Sequence, residues 1–364
     1  MRTPRTATTA AVAVAALALT VGGCSSSGGK SSEDRGSAPA SGGQAVSTPR
    51  LKIAMVTHSG EGDTFWDIVQ SGAKQAAAKD NADFLYSANK EGQQQAQLVQ
   101  AAIDQKVDGL IVTLAKPEAL KDVVKKAVAA GIPVVTINSG ADSSKALGAL
   151  GHIGQDEGVA GEAVGDELTK RGRKKVLCVI HEQGNVSLEQ RCAGVRKTFA
   201  GSVENLNVDG TDTPASTSSV EAKLQSVKDI DAVVTLGAPM AAAAVQAKAD
   251  AGSSAEIDTF DLNAAVIKQF KASQIGFAVD QQPYLQGYLA VDELWLNKTN
   301  GDVIGGGRPV LTGPAIVTAK DVPTLEKYTA RATWTTTSSW APSCRSPEAC
   351  ATIWSANCTG RRPP

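Results

Sequence analysis

A two-beat rhythm constrains this chain more than any other feature. From Leu51 onward, short aliphatic runs alternate with longer segments of helical period. LKIAMVT (51–57), ADFLYS (82–87), GLIVT (109–113) and IPVVTIN (132–138) read as strands. FWDIVQSGAKQAAAK (65–79), QQQAQLVQAAIDQ (93–105) and PEALKDVVKKAVAAG (117–131) read as helices. Gly131 fits a C-cap and Pro133 opens the next strand. The strand runs are continuously apolar rather than alternating, which means burial on both faces. Repeated strand–helix–strand units of this kind build a parallel, doubly wound α/β sheet with right-handed crossovers.

The rhythm restarts at VGDELTKRGRKKVLCVI (164–180). It continues through a helix from Leu188, DAVVTLG (231–237), AAAAVQAKADAG (241–252), IDTFD (257–261), IKQFKASQ (267–274) and GFAVDQQ (276–282). A helix from Tyr284 to Lys298 and PVLTGPAIVT (309–318) complete it. Roughly 280 residues therefore fold as two α/β units of similar design rather than one. In open parallel sheets ligands bind at the carboxyl ends of strands, and two such sheets facing each other enclose a cleft.

The N-terminus sets the compartment. Arg2 and Arg5 precede the apolar run AAVAVAALALTV (10–21), too short to span a bilayer and of the length of a secretory signal. The run ends VGGC, which resembles a bacterial lipobox and implies cleavage after residue 23 and lipidation of Cys24; an ordinary signal with a chance cysteine is the alternative. Residues 24–50, rich in Ser, Gly and Pro, read as a flexible tether. No later stretch is apolar enough to span a bilayer. In an exported protein Cys178 and Cys192, spaced as a strand and the start of the next helix, suit a disulfide better than a zinc site.

Lys and Arg number 36 against 37 Asp and Glu, with no basic block, which argues against nucleic acid. GxxxxGK[ST], a GxGxxG after the first strand, GxSxG and HExxH are all absent. The three histidines, His58, His152 and His181, are scattered. No apparatus for enzyme chemistry is visible, and no cofactor or metal is expected.

With signal, tether and two α/β units in place, several stretches become recognisable: DTFWDIVQSGA, VDGLIV followed by GIPVVTIN, HIGQDEGVAGEAVGDEL, NVSLEQRCAG, DTFDLN and AVDQQPYLQGYLAVD. In this order they resemble the periplasmic sugar-binding proteins of the ribose-binding type, solute receptors of ABC importers, over about Leu51 to Tyr328. The resemblance implies a type I periplasmic binding protein fold, two lobes joined by three crossovers near His152–Gln155, Asp280–Pro283 and Leu311–Ala315. The N-lobe would take residues 51–152 and 283–311, and the C-lobe 155–280 and 314–330. A related DNA-binding regulator would need a helix-turn-helix where this chain has an export signal.

Sugar rings offer C–H faces that pack on aromatics and hydroxyls that pair with charged or amide side chains. Phe65 and Trp66 stand side by side in a chain with only 4% aromatics, pointing about 100° apart on a helix. The resemblance assigns them to the ligand; a staple at the helix start is the alternative. Asn138 and Ser139 follow IPVVTI where ribose binders carry Asp-Arg, a departure implying a ligand other than ribose; the alternative is a plain turn. Arg191 matches a family arginine that donates two hydrogen bonds to sugar hydroxyls, or else makes a salt bridge. Asp261 matches an aspartate that accepts from two hydroxyls, or else caps a helix. Gln281 lies at a crossing, with Gln282 as its rival. Further candidates are His58 and Asn89, at the ends of N-lobe strands, and Lys116. Gly237 stands where the family often has an amide side chain.

The implied protein is a monomeric, lipid-anchored receptor delivering a sugar or polyol to an ABC permease. A receptor presenting its ligand to a membrane sensor is a second reading, and a secreted enzyme a third. After EKYTAR the composition changes: residues 331–364 hold three of the five tryptophans and Cys344, Cys350 and Cys358. Either a small disulfide-bearing appendage or a shifted reading frame accounts for them, and no regular structure is expected there.

Overall fold

The computed structural model describes residues 49–60 and 63–326. The signal segment 1–23, Cys24, almost all of the tether and the tail 331–364 lie outside the described residues. The first half runs β1 (Lys52–Thr57), α1 (Thr64–Lys79), β2 (Asp83–Ala88), α2 (Gly92–Asp104), β3 (Gly109–Val112), α3 (Pro117–Ala129), β4 (Val134–Ile137), α4 (Ala141–Ser144) and β5 (Gly151–Gly154). The second runs α5 (Glu157–Lys170), β6 (Lys175–Ile180), α6 (Val186–Thr198), β7 (Ser202–Asn207), α7 (Thr213–Ser226), β8 (Ala232–Thr235), α8 (Ala238–Asp250), β9 (Glu256–Phe260), α9 (Ala264–Lys271) and β10 (Ala278–Asp280). α10 (Pro283–Asn300), β11 (Val310–Leu311) and β12 (Ala315–Val317) close the fold.

These elements form two six-stranded sheets, ordered β11-β5-β4-β3-β1-β2 and β12-β10-β9-β8-β6-β7. Every pairing is parallel except β10 with β12. Both sheets are doubly wound around their first strand, as the two-beat rhythm dictates. The inner strands β3, β4 and β8 are buried along their whole length, whereas edge strands β2 and β7 are half-exposed. That exposure explains why β7 and α7 leave no apolar pattern in the sequence: SVENLN needs to bury little, and α7 is built largely of small polar residues.

The chain passes between the sheets three times, from β5 to α5, from β10 to α10 and from β11 to β12. α10 packs on α1 in the first lobe, and α5 on α6 in the second. Both crossings are too close for a side chain. A Cβ at Gly72 would run into the carbonyl oxygen of Tyr284, and one at Gly161 into that of Arg191. The second approach brings the start of α5 against the turn of α6 that carries Arg191.

A disulfide joins Cys178 of β6 to Cys192 of α6, with 6.0 Å between Cα atoms. It ties the strand and the helix of the second lobe that border the cleft.

Candidate ligand-binding site

The strand ends of the two sheets face each other across a cavity of about 670 Å³, within the range of roughly 300–1,000 Å³ usual for small-molecule sites. The lobes meet around it. The Val186 amide donates to the Ala115 carbonyl at 3.0 Å. Lys90 Nζ donates to Thr211 Oγ1 at 3.1 Å, and Lys116 Nζ lies 3.3 Å from Glu182 Oε1. The arrangement is a closed one.

Three side chains link the lobes into one polar wall, with a fourth behind it. Asn138 follows β4 and Asp261 follows β9, and each leaves its strand in the left-handed region, at φ 61° and 69°. Asn and Asp tolerate that region better than other non-glycine residues, so the sequence places them where the strand must turn sharply at the cavity. Asn138 Nδ2 donates to Gln281 Oε1 at 3.1 Å, and Gln281 Nε2 donates to Asp261 Oδ1 at 2.6 Å. Gln286 Nε2 supports Gln281 from behind, donating to its Oε1 at 3.1 Å and to Thr312 Oγ1 at 3.2 Å. Burial raises the Asp261 carboxyl to about 7, with the Arg191 guanidinium pulling the other way.

Arg191 is 3% exposed. Its Nε and Nη2 donate to the two carboxylate oxygens of Glu157 at 2.6 and 2.9 Å, and Nη1 to the Leu236 carbonyl at 2.9 Å. A guanidinium has five N–H groups; with three so engaged, two remain, one on each terminal nitrogen, for whatever occupies the cavity.

On the first lobe, Phe65 and Trp66 both line the cavity and both belong to the core beneath it. Their rings meet edge to face at 5.1 Å, and Trp66 meets His58 in the same way at 5.0 Å. Asp63 caps α1, its Oδ1 accepting from the Phe65 amide at 3.0 Å, and burial raises its carboxyl to about 6. His58 is fully committed to protein: Nδ1 meets Thr113 Oγ1 at 2.8 Å and Nε2 receives from Asn185 Nδ2 at 3.3 Å. Ser139 Oγ donates to Asn185 Oδ1 at 3.4 Å.

The cavity thus gathers His58, Phe65, Trp66, Asn138, Ser139, Arg191, Asp261 and Gln281, together with Lys116 and Gly237. Asn89 stands apart: its Oδ1 turns back to accept from the Glu91 amide at 2.9 Å, and its neighbours Lys90 and Glu91 border the cavity instead. Gln282 belongs to the crossing, donating to the Thr312 carbonyl at 2.8 Å. Sequence reasoning missed Asp63, His181, Glu182 and Asn185. The signal was available, since His181 and Glu182 directly follow KVLCVI, at the end of a strand where sites lie. Among the described residues, no group of three or more His, Cys, Asp or Glu is arranged to hold a metal ion.

Two doubly wound lobes closing on a polar cavity at their strand ends define a cleft-type binding protein. Residues 53–300 match the model described as periplasmic binding protein domain, and the chain belongs to that family. It is 51% identical to a carbohydrate transporter from Acidothermus cellulolyticus solved in complex with myo-inositol. That match has a TM-score of 0.77 and covers 78% of this chain and 100% of the other. It is 24% identical over 277 residues to the xylose/arabinose-binding protein of Sulfolobus acidocaldarius, covering 70% of this chain and 68% of that one. It is 26% identical over 223 residues to the ribose import binding protein of Bacillus subtilis, covering 60% and 72% respectively.

Proposed function

We propose that this protein is an extracytoplasmic receptor that captures one sugar or cyclic polyol between two closing lobes and delivers it to an ABC permease. The observation that carries the reading is the cavity wall. Asn138, Gln281 and Asp261 form one hydrogen-bonded row across both lobes, and Arg191 faces the same space with two N–H groups to spare. Opposite chemistry comes from Trp66, whose ring offers a surface for the C–H face of a saturated ring. A ligand with hydroxyls around its whole rim satisfies all of these groups together, which favours a cyclic polyol. The relative solved with myo-inositol supports that choice. Asn138 and Ser139, standing where ribose binders have Asp-Arg, point away from ribose.

The moving bodies are residues 51–152 with 283–311 and residues 155–280 with 314–330. The protein acts as a monomer, exported by its signal and held to the membrane by a lipid on Cys24. Among the described residues no helix is long and apolar enough to cross a membrane. Titration calorimetry with myo-inositol, D-ribose, D-xylose and L-arabinose tests the reading. At least one is expected to bind in a one-to-one ratio, and myo-inositol most tightly. A ligand at 100 times its dissociation constant stabilises the fold by about 2.7 kcal/mol, so thermal melts give an independent check. Absence of both heat and thermal shift with all four would overturn it.

A further inference from the structure

His181 is placed unlike the other groups of the cavity. It follows β6 directly, and its imidazole enters a slot between two glycines of the neighbouring loops. A Cβ at Gly210 would lie 3.0 Å from the ring's Cδ2, and one at Gly237 would lie 3.1 Å from Cε1 and 3.4 Å from Nε2. Neither glycine is needed for its backbone. Gly237 is extended at φ −171°, and Gly210 is not among the left-handed residues. Gly237 supplies room for the ring, and Gly210 supplies room for both the ring and the His181 carbonyl oxygen, which a Cβ there would meet at 2.9 Å. The same Cβ position at Gly237 lies 3.9 Å from Asp261 Oδ2, so His181 and Asp261 flank one spot of the cavity wall.

Among the described residues the ring also has no hydrogen-bond partner. Nδ1 is buried without a partner, and Nε2 has none among the described residues. His58, the other cavity histidine, has both nitrogens engaged. A half-buried imidazole that the protein leaves without hydrogen bonds is favoured to take one from whatever binds beside it. Burial holds the His181 imidazole down at about 4, so at neutral pH the ring carries one donor and one acceptor. Nδ1 is closed off, so Nε2 is the atom that a ligand hydroxyl can reach, and a hydroxyl can donate to it or accept from it according to the tautomer.

We propose that His181 is a further ligand-contacting residue that sets specificity, its imidazole reading the hydroxyl next to the one taken by Asp261. Gly210 and Gly237 are the space that lets the ring reach it. The inference rests on the polyol-receptor reading above and adds which hydroxyl pair is selected and by what.

Calorimetry with myo-inositol and D-ribose tests it, using His181→Phe, which fills the slot but has no nitrogen. Ligand-free melting is expected to stay within a few degrees of wild type while affinity for the bound probe falls at least tenfold. Gly237→Ala should cause a comparable loss in the wild-type background and little further loss in His181→Ala, where the space is vacant. In wild-type protein, the His181 ring nitrogen resonances should shift on saturation with the probe, a readout that needs no variant. Unchanged affinity in His181→Phe, or ring resonances unmoved at saturation, would overturn the proposal. Wild-type protein that binds neither of these probes, nor D-xylose or L-arabinose, would instead overturn the receptor reading on which it rests.

Discussion

Glu157 holds Arg191 by two hydrogen bonds of 2.6 and 2.9 Å, and both side chains are almost fully buried. Glu157 lies outside the wall of the cavity that Arg191 faces. The carboxylate therefore fixes which way the guanidinium points, and the close crossing of α5 and α6 at Gly161 makes the pair possible. Removing one member of a buried pair typically costs about 3–5 kcal/mol. Glu157→Gln is expected to lower stability and to weaken polyol binding, although it touches no ligand. Arg191→Ala should lose both as well. Urea melts beside calorimetry check this; wild-type affinity in Glu157→Gln would show that Arg191 needs no such support.

Binding should depend on pH through Asp261. Its carboxyl is raised to about 7 by burial, against the pull of Arg191 and the bond from Gln281, with Asp63 and Glu157 adding to the rise. A raised folded value means that this group's contribution to ligand-free stability is full at low pH and is lost as pH rises through about 7. Hydroxyls that donate to Asp261 favour its ionised form. Affinity should therefore increase from pH 5.5 to pH 8, with proton release on binding near pH 6.5. Calorimetry in buffers of different ionisation enthalpy measures that release, and in Asp261→Asn it should vanish.

Trp66 serves core and cavity together. It is 3% exposed, packs edge to face on Phe65 and His58, and borders the ligand space. Truncating a buried aromatic costs about 3–5 kcal/mol. Trp66→Ala should lose stability on that scale and lose binding too, whereas Trp66→Phe should keep most stability and lose part of the binding. Addition of ligand should change tryptophan fluorescence in wild type but not in Trp66→Phe. A Trp66→Phe protein with full affinity would confine the indole to a packing role.

The disulfide ties β6 to α6, the elements that lead to His181 and carry Arg191. With a sequence separation of 14 it closes a loop worth about 3 kcal/mol. The double variant Cys178→Ser, Cys192→Ser should unfold at lower urea by that amount. Equal midpoints with and without reductant would contradict a formed bridge.

Cys24 lies outside the described residues, and its role is tested in cells. Cys24→Ser should move the protein from the washed membrane fraction to the soluble extracytoplasmic one. Retention of that variant on membranes would remove the lipid anchor from the proposal.

The sequence by itself determined the class of this fold. Continuous apolar runs such as GLIV and VVTI bury both faces of a strand, and a parallel α/β sheet with helices on both faces provides that burial. Turn chemistry was equally local, so Asn138 and Asp261 were legible as residues just past a strand end. Edge elements β7 and α7 were not legible, because a half-exposed strand needs no apolar pattern. What only the tertiary structure decided was which strand ends share a space. Asn89 and His58 end neighbouring strands, yet one caps a turn outside the cavity and the other braces Trp66 and Asn185. His181, Gly210 and Gly237 are far apart in sequence and silent as a pattern. They come together only because β6, β7 and β8 end side by side, and hydrogen-bond satisfaction there depends on distances that no local propensity encodes.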